Sequence, residues 1–276
     1  MVQAVHSSSS REDEIRLQNE GRDSIYSEVA RQFSDQVVDR AHQDNKINST
    51  EDCRRTLNLV RQKLSSEWLK SQRVLNPGAE KEQTKAYKLL RTQVLRKMYS
   101  NDWSRLAVVS PRRGHGNTLT AINLALCIAH TKGCQVSLFD LNLNNPMVGY
   151  YLNLNMQNIT KSNNEQELQN LGFQIEGLNL QVFPNLAKHM DTLDLPPSFL
   201  YKDFVKQSAS AETRKITVLD MPPILESDEI IANSDMWDAV LVVLQQGVTK
   251  KVDIQRASEL LGDKPVLGTV FNAVAY

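Results

Sequence analysis

The 276-residue chain contains no run of about 18 apolar residues, which excludes a helix that crosses a membrane. Cysteine is scarce: Cys53, Cys127 and Cys134 make neither a disulfide framework nor a zinc spacing, so plain thiols in an intracellular chain are expected. The five histidines are scattered and form no ligand set. Neither sign of charge is in excess, with 32 basic against 32 acidic residues, so no global field draws nucleic acid to the chain. Met1 to Ser10 lacks the apolar core that a secretory signal needs. Together these absences lead to the expectation of a soluble, cytoplasmic protein with no nucleic-acid partner.

What is present divides into two textures. Residues 1–80 are polar and charge-rich and read as an N-terminal extension and linker, ahead of a globular domain over 81–276. Within the extension Ile25, Val29, Phe33 and Val37 recur every four residues, which predicts a short amphipathic helix. Ser49 followed by Asp52 is close to a capping box, and Leu57, Val60, Leu64 and Trp68 predict a second helical face. Solvated helices on a mobile arm and a dedicated docking arm both fit this pattern. Asn76-Pro77-Gly78 reads as a turn or linker.

From residue 82 the periodicity becomes globular. Residues 82–99 predict a helix with Tyr87, Leu90, Val94 and Met98 on one face. Apolar runs at 106–110, 136–140, 216–220 and 239–244 predict buried strands, joined by 266–271 and by 180–183. Helical segments are expected at 118–131, 198–209 and 249–262. Alternation of this kind predicts an α/β fold, a doubly wound, mostly parallel sheet with helices on both faces. Ligands in such sheets sit at the carboxyl ends of the strands.

Residues Ser110 to Thr118, Ser-Pro-Arg-Arg-Gly-His-Gly-Asn-Thr, lie between a predicted strand and a predicted helix. They match a phosphate-binding loop, G-x-x-x-x-G-K-[ST], in which backbone N–H groups cradle phosphates, a lysine reaches the β- and γ-phosphates, and a hydroxyl binds Mg²⁺. Gly114, Gly116 and Thr118 are in place, whereas Pro111 fills the first glycine slot and Asn117 the lysine slot. An amide carries no charge. Asp140 ends the run Val136-Ser137-Leu138-Phe139, and Asp220 ends Ile216-Thr217-Val218-Leu219. A carboxylate just past a buried strand is well placed to hold Mg²⁺ or to orient an attacking group. The plainer alternative is that each caps the next turn. Two such aspartates beside one loop favour a nucleotide-site origin.

At this point the chain resembles the bacterial tyrosine kinases of capsule and exopolysaccharide synthesis, the CpsD/CapB type, within the MinD/ParA class of P-loop ATPases. The resemblance spans about residues 73–274 and rests on an ordered set of motifs. These are Leu89-Leu90-Arg91-Thr92-Gln93, Leu106 to Pro111, Gly-x-Gly-x-Thr-Leu-Thr-Ala-Ile-Asn-Leu-Ala (114–125) and Asp-x-x-Leu-x-x-Pro (140–146). Asp-Met-Pro-Pro (220–223), Ser227-Asp228, Trp237 to Val243 and Pro265 to Asn272 complete it. The resemblance implies a P-loop domain that takes ATP or ADP with Mg²⁺. It places Arg112, Arg113, Gly114, His115, Gly116, Asn117, Thr118 and Leu119 on the nucleotide and Asn272 on the adenine base. Thr118 and Asp140 would ligate the metal, and Asp140 and Asp220 would be the catalytic acids. Arg112 falls where MinD-type loops carry an extra lysine, and it would return positive charge, across a dimer interface in one arrangement; an exposed loop arginine is the alternative.

The departures from the pattern weigh equally. Asn117 replaces the loop lysine, Asn142 replaces a second acidic residue, and Asn144 and Asn145 replace arginines. The family's Glu-x-x-Arg-x-x-Arg self-association motif reads here Lys85-x-x-Lys88-x-x-Arg91. The sequence ends at Tyr276 with neither the tyrosine-rich tail that such kinases phosphorylate nor a basic amphipathic membrane helix. The expectation is a catalytically impaired member that regulates or scaffolds polysaccharide export. Its nucleotide would be weakly held or absent. Its partner would be a membrane polysaccharide co-polymerase or export protein, which recruits it to the inner face of the membrane, and it would assemble with itself or with an intact relative. An active tyrosine kinase or ATPase is the alternative. His115 is expected as an exposed loop side chain or a phosphate contact, Trp68, Trp103 and Trp237 as packing residues, and Cys127 as a small core residue.

Overall fold

Strands form where continuous apolar runs let a segment bury both faces, and the computed structural model places them side by side. It describes residues 59–76, 82–142, 144–158, 172–184 and 214–272. In chain order the elements are β1 (Val60–Gln62), α1 (Ser66–Ser71), α2 (Glu82–Ser100), β2 (Arg105–Val109), α3 (Asn117–Ala129), β3 (Cys134–Asp140) and α4 (Val148–Tyr151). A 3₁₀ turn (Met156–Asn158) follows, then β4 (Phe173–Ile175), β5 (Leu180–Phe183), β6 (Arg214–Asp220), α5 (Glu229–Ala232), β7 (Ala239–Gln245), α6 (Lys251–Leu261) and β8 (Val266–Asn272). All six expected strands are present. The expected helices over 25–37 and 198–209, the Ser49–Asp52 cap and Cys53 lie outside the described residues.

Eight strands make one sheet in the order β1-β4-β5-β3-β6-β2-β7-β8. Every pairing is parallel except the β4–β5 hairpin, which turns through Gly177 at φ +76°. In β2 the residues Leu106, Ala107, Val108 and Val109 are all fully buried, as a central parallel strand covered on both faces requires. The helix behind it, α3, is apolar almost all round, and eleven of its side chains, from Asn117 to Ala129, are buried. Helix α2 is amphipathic: Val94 and Met98 are fully buried, Tyr87 and Leu90 half-buried, and Lys88 and Arg96 exposed, which is the expected face.

Asp238 pins the start of β2. Its Oδ2 accepts from the backbone N–H of Ser104 at 2.9 Å and of Arg105 at 2.8 Å, while its Oδ1 holds the Arg105 guanidinium. One carboxylate thus sets the register at which β2 delivers the following loop.

Of the helical face expected through Leu57, Val60, Leu64 and Trp68, Leu57 lies outside the described residues and the other three do not share one helix. Val60 lies in strand β1, which pairs in parallel with β4, and only Trp68 enters a helix, α1, capped by the Ser65 hydroxyl. Pairing with a distant strand overrides a local four-residue period. Leu69, Val74 and Leu75 are buried in the core, so the sheet and its packing reach back past residue 80.

Candidate functional site

Strand order brings three chain segments together. β2, β6 and β3 are neighbours, so the loop after β2 and the aspartates that end β6 and β3 emerge at one edge; Asp140 and Asp220 are directly paired across the β3–β6 ladder. On the other side of β2 lies β7, and chain direction therefore diverges at β2, the switch point where such sheets open a crevice.

The loop has the shape of an anion cradle. Gly114 and Gly116 take φ +86° and +89°, a left-handed conformation that L side chains rarely adopt. This leaves the N–H groups of Gly114, His115, Gly116, Asn117 and Thr118 without a hydrogen-bond partner among the described residues. Successive uncommitted N–H groups at the start of a 13-residue helix make a site for phosphate.

The side chain in the lysine slot does something else. Asn117 is buried, and its Nδ2 donates to Asp220 Oδ1 at 3.1 Å and to the Met221 carbonyl at 2.9 Å. Its Oδ1 accepts from the Ser110 hydroxyl at 3.2 Å. The amide ties the loop to the end of β6, and both of its ends are committed to protein groups.

The two aspartates differ. Asp140 accepts from the backbone N–H of Asn142 at 3.2 Å, Met147 at 2.9 Å and Val148 at 3.0 Å, so it caps the turn that leads into α4. Burial raises its pKa to about 6 against the opposing pull of those three bonds. Asp220 is fully buried, and its Oδ2 has no hydrogen-bond partner among the described residues. Burial pushes the Asp220 carboxyl well above the usual range, and the neighbouring Asp140 adds to the rise; the Thr118 hydroxyl and the Asn117 amide offset part of it. An orphaned carboxylate oxygen beside a threonine hydroxyl suits a proton or a cation. Among the described residues no three His, Cys, Asp or Glu cluster tightly enough to hold a metal unaided. A divalent ion here would also need oxygens from a ligand, as Mg²⁺ bound with phosphates has.

Several expected site residues sit differently from the sequence reading. His115 is not an exposed loop side chain: it is buried, with Nδ1 3.4 Å from the Thr249 hydroxyl, and burial lowers its pKa. Arg112 keeps a solvent-facing side chain but is ion-paired with Asp253 on α6 at 2.9 Å, which holds the Asp253 carboxyl below its usual range. Asn272 Nδ2 donates to the His115 carbonyl at 3.0 Å, so the side chain expected at adenine is also a strut for the loop. A Cβ on Gly116 would come within 2.0 Å of that same nitrogen. The Leu119 side chain is partly buried against the core. Arg113 is exposed, and its backbone N–H donates to Glu226 Oε1 at 3.0 Å.

Glu226, Asp253 and Thr249 escaped the sequence reading. Nothing in their local pattern marks them, because each acts on the loop across a long chain separation that only the fold closes.

No family model matches the chain. Over 202 residues it is 25% identical to the tyrosine-protein kinase YwqD of Bacillus subtilis, covering 67% of this chain and 79% of that one. The chain resembles the bacterial tyrosine kinases. Solved structures share the fold at lower identity. The chimerical protein CapA2B2 aligns with a TM-score of 0.60 and 18% identity, over 80% of this chain and 94% of its own. The BceF tyrosine kinase domain aligns at 0.58 and 19%, over 79% and 93%. The kinase domain of the Escherichia coli tyrosine kinase ETK aligns at 0.52 and 17%, over 79% and 92%.

Proposed function

We propose that this relative of the bacterial tyrosine kinases is a catalytically impaired regulator or scaffold of exopolysaccharide or capsule export, which takes up nucleotide without turning it over. The observation that carries the reading is the commitment of Asn117: the side chain in the lysine slot is neutral and is bonded to Asp220 and Met221. Phosphoryl transfer depends on positioning and on cations that neutralise developing charge. Removing one preorganised electrostatic partner typically costs ~10²–10³ in rate, about 3–4 kcal/mol. An amide already engaged elsewhere leaves that loss unrepaired.

The uncommitted loop N–H groups would bind phosphates of ATP or ADP. Thr118, with Asp220 and Asp140 behind it, would hold Mg²⁺, which when bound supplies charge neutralisation and orients phosphate oxygens. Nucleotide occupancy would then set the loop and its neighbours α5 and α6 for docking. The partner in this reading is a membrane polysaccharide co-polymerase or export protein, and recruitment by it would bring a cytoplasmic chain to the inner face of the membrane. No helix among the described residues is long and apolar enough to cross that membrane. Self-assembly or assembly with an intact relative belongs to the same reading.

A second reading, an active tyrosine kinase or ATPase, draws on the exposed Arg113 as a replacement cation. Phosphate release and tyrosine phosphotransfer by the purified chain, measured beside YwqD, separate the two. Turnover at least ~10²-fold below the intact enzyme is expected. Rates comparable with YwqD would refute the scaffold reading.

A further inference from the structure

Resting on the reading of a nucleotide-responsive scaffold, we infer that the loop selects a nucleoside diphosphate over the triphosphate. Its donors fall into two sets. The backbone N–H groups of residues 114–118 are uncommitted, and in loops of this pattern such groups serve the inner phosphates. The side chains that would meet a terminal phosphate are spent on the protein itself. Asn117 is bonded to Asp220 and Met221, and Arg112 to Asp253.

Apart from the exposed Arg113, the groups left around the loop are acidic. Asp140 and Asp220 lie side by side at the strand ends, Asp220 has an oxygen with no partner among the described residues, and Glu226 already accepts from the loop at Arg113 N. A diphosphate fills the cradle. A third phosphate brings further negative charge with no buried ammonium to receive it, and charge left uncompensated near a low-dielectric wall costs more than in water. Selection for the diphosphate also gives a scaffold that is occupied without a hydrolysis step, so its docking state follows the supply of diphosphate rather than an internal clock.

Isothermal titration of the full chain with ADP and with a non-hydrolysable ATP analogue, each with Mg²⁺ and with EDTA, tests this. ADP is expected to bind about tenfold more tightly than the analogue, a difference well resolved by the method. The gap should widen in EDTA, where no divalent ion screens the third phosphate. In Asn117→Lys the order should reverse, because an ammonium would again reach the outer phosphates. If that variant does not fold, as judged by circular dichroism, the wild-type order alone decides. Equal or tighter binding of the analogue by the wild type overturns the inference, and an Arg113→Ala variant that then loses the analogue would name the cation responsible. Failure of either nucleotide to bind would sink the parent reading of a nucleotide-responsive scaffold, a result distinct from the wrong order of affinities.

Discussion

Asn117→Ala is the sharpest perturbation of the loop, because it removes a tie without adding bulk or charge. Three bonds disappear: Nδ2 to Asp220 Oδ1 at 3.1 Å, Nδ2 to the Met221 carbonyl at 2.9 Å, and the Ser110 hydroxyl to Oδ1 at 3.2 Å. The Ser110 hydroxyl keeps a second partner, the Arg112 carbonyl at 2.8 Å, so it suffers least. Asp220 suffers most, since Oδ2 already has no partner among the described residues and the substitution strips Oδ1 of the amide as well. A buried polar group left unsatisfied costs about 1–3 kcal/mol. With the Asp220 carboxyl and the Met221 carbonyl both affected, and some relaxation of the loop, the expected loss is about 2–4 kcal/mol. Urea unfolding at neutral pH should show the midpoint falling with an unchanged slope, the signature of lost stability rather than altered compactness. The penalty should shrink in an Asp220→Asn background, because the two side chains form one network and their effects cannot add. An Asn117→Ala protein within about 0.5 kcal/mol of the wild type would refute the view of Asn117 as a structural tie.

Two further outcomes follow from the same geometry. Asp140 has a folded pKa of about 6, above the ~3.9 of a free aspartate, so its contribution to stability is fully present below about pH 4 and is lost as pH rises toward 6. Relative to Asp140→Asn, the ligand-free wild type should lose up to about 1.4 kcal/mol per pH unit across that window, and a pH-independent difference in urea midpoints would contradict the assignment. Gly116→Ala meets both a φ of +89° and a Cβ position 2.0 Å from Asn272 Nδ2, so it should destabilise by more than about 1 kcal/mol. Adding Asn272→Ala should recover the collision but not the backbone strain, and full recovery of the thermal midpoint would show that φ carries no cost there.

Much of the scaffold was legible from residue order alone. The apolar runs at 106–110, 136–140, 216–220, 239–244, 266–271 and 180–183 mark strands because burial on both faces requires continuous apolar sequence. The four-residue spacing of Tyr87, Leu90, Val94 and Met98 marks the buried side of α2 for the same reason. The glycines at 114 and 116 and the asparagine at 117 mark a phosphate-type loop with a changed slot. Local composition could not reveal β1, whose residues carry a helical period and become a strand only because β4 offers them a parallel edge.

Spacing along the chain determined where an anion cradle and two strand-end carboxylates would stand, since these depend on backbone conformation and on the ends of buried strands. Tertiary structure alone decided what each side chain there is bonded to. His115 turned inward toward Thr249, Arg112 was claimed by Asp253, Glu226 took a loop N–H, and Asn117 was tied to Asp220. Those partners lie up to some 140 residues away along the chain. Hydrogen bonds and ion pairs act over a few ångströms, so only the packed sheet, by closing that separation, could choose among them.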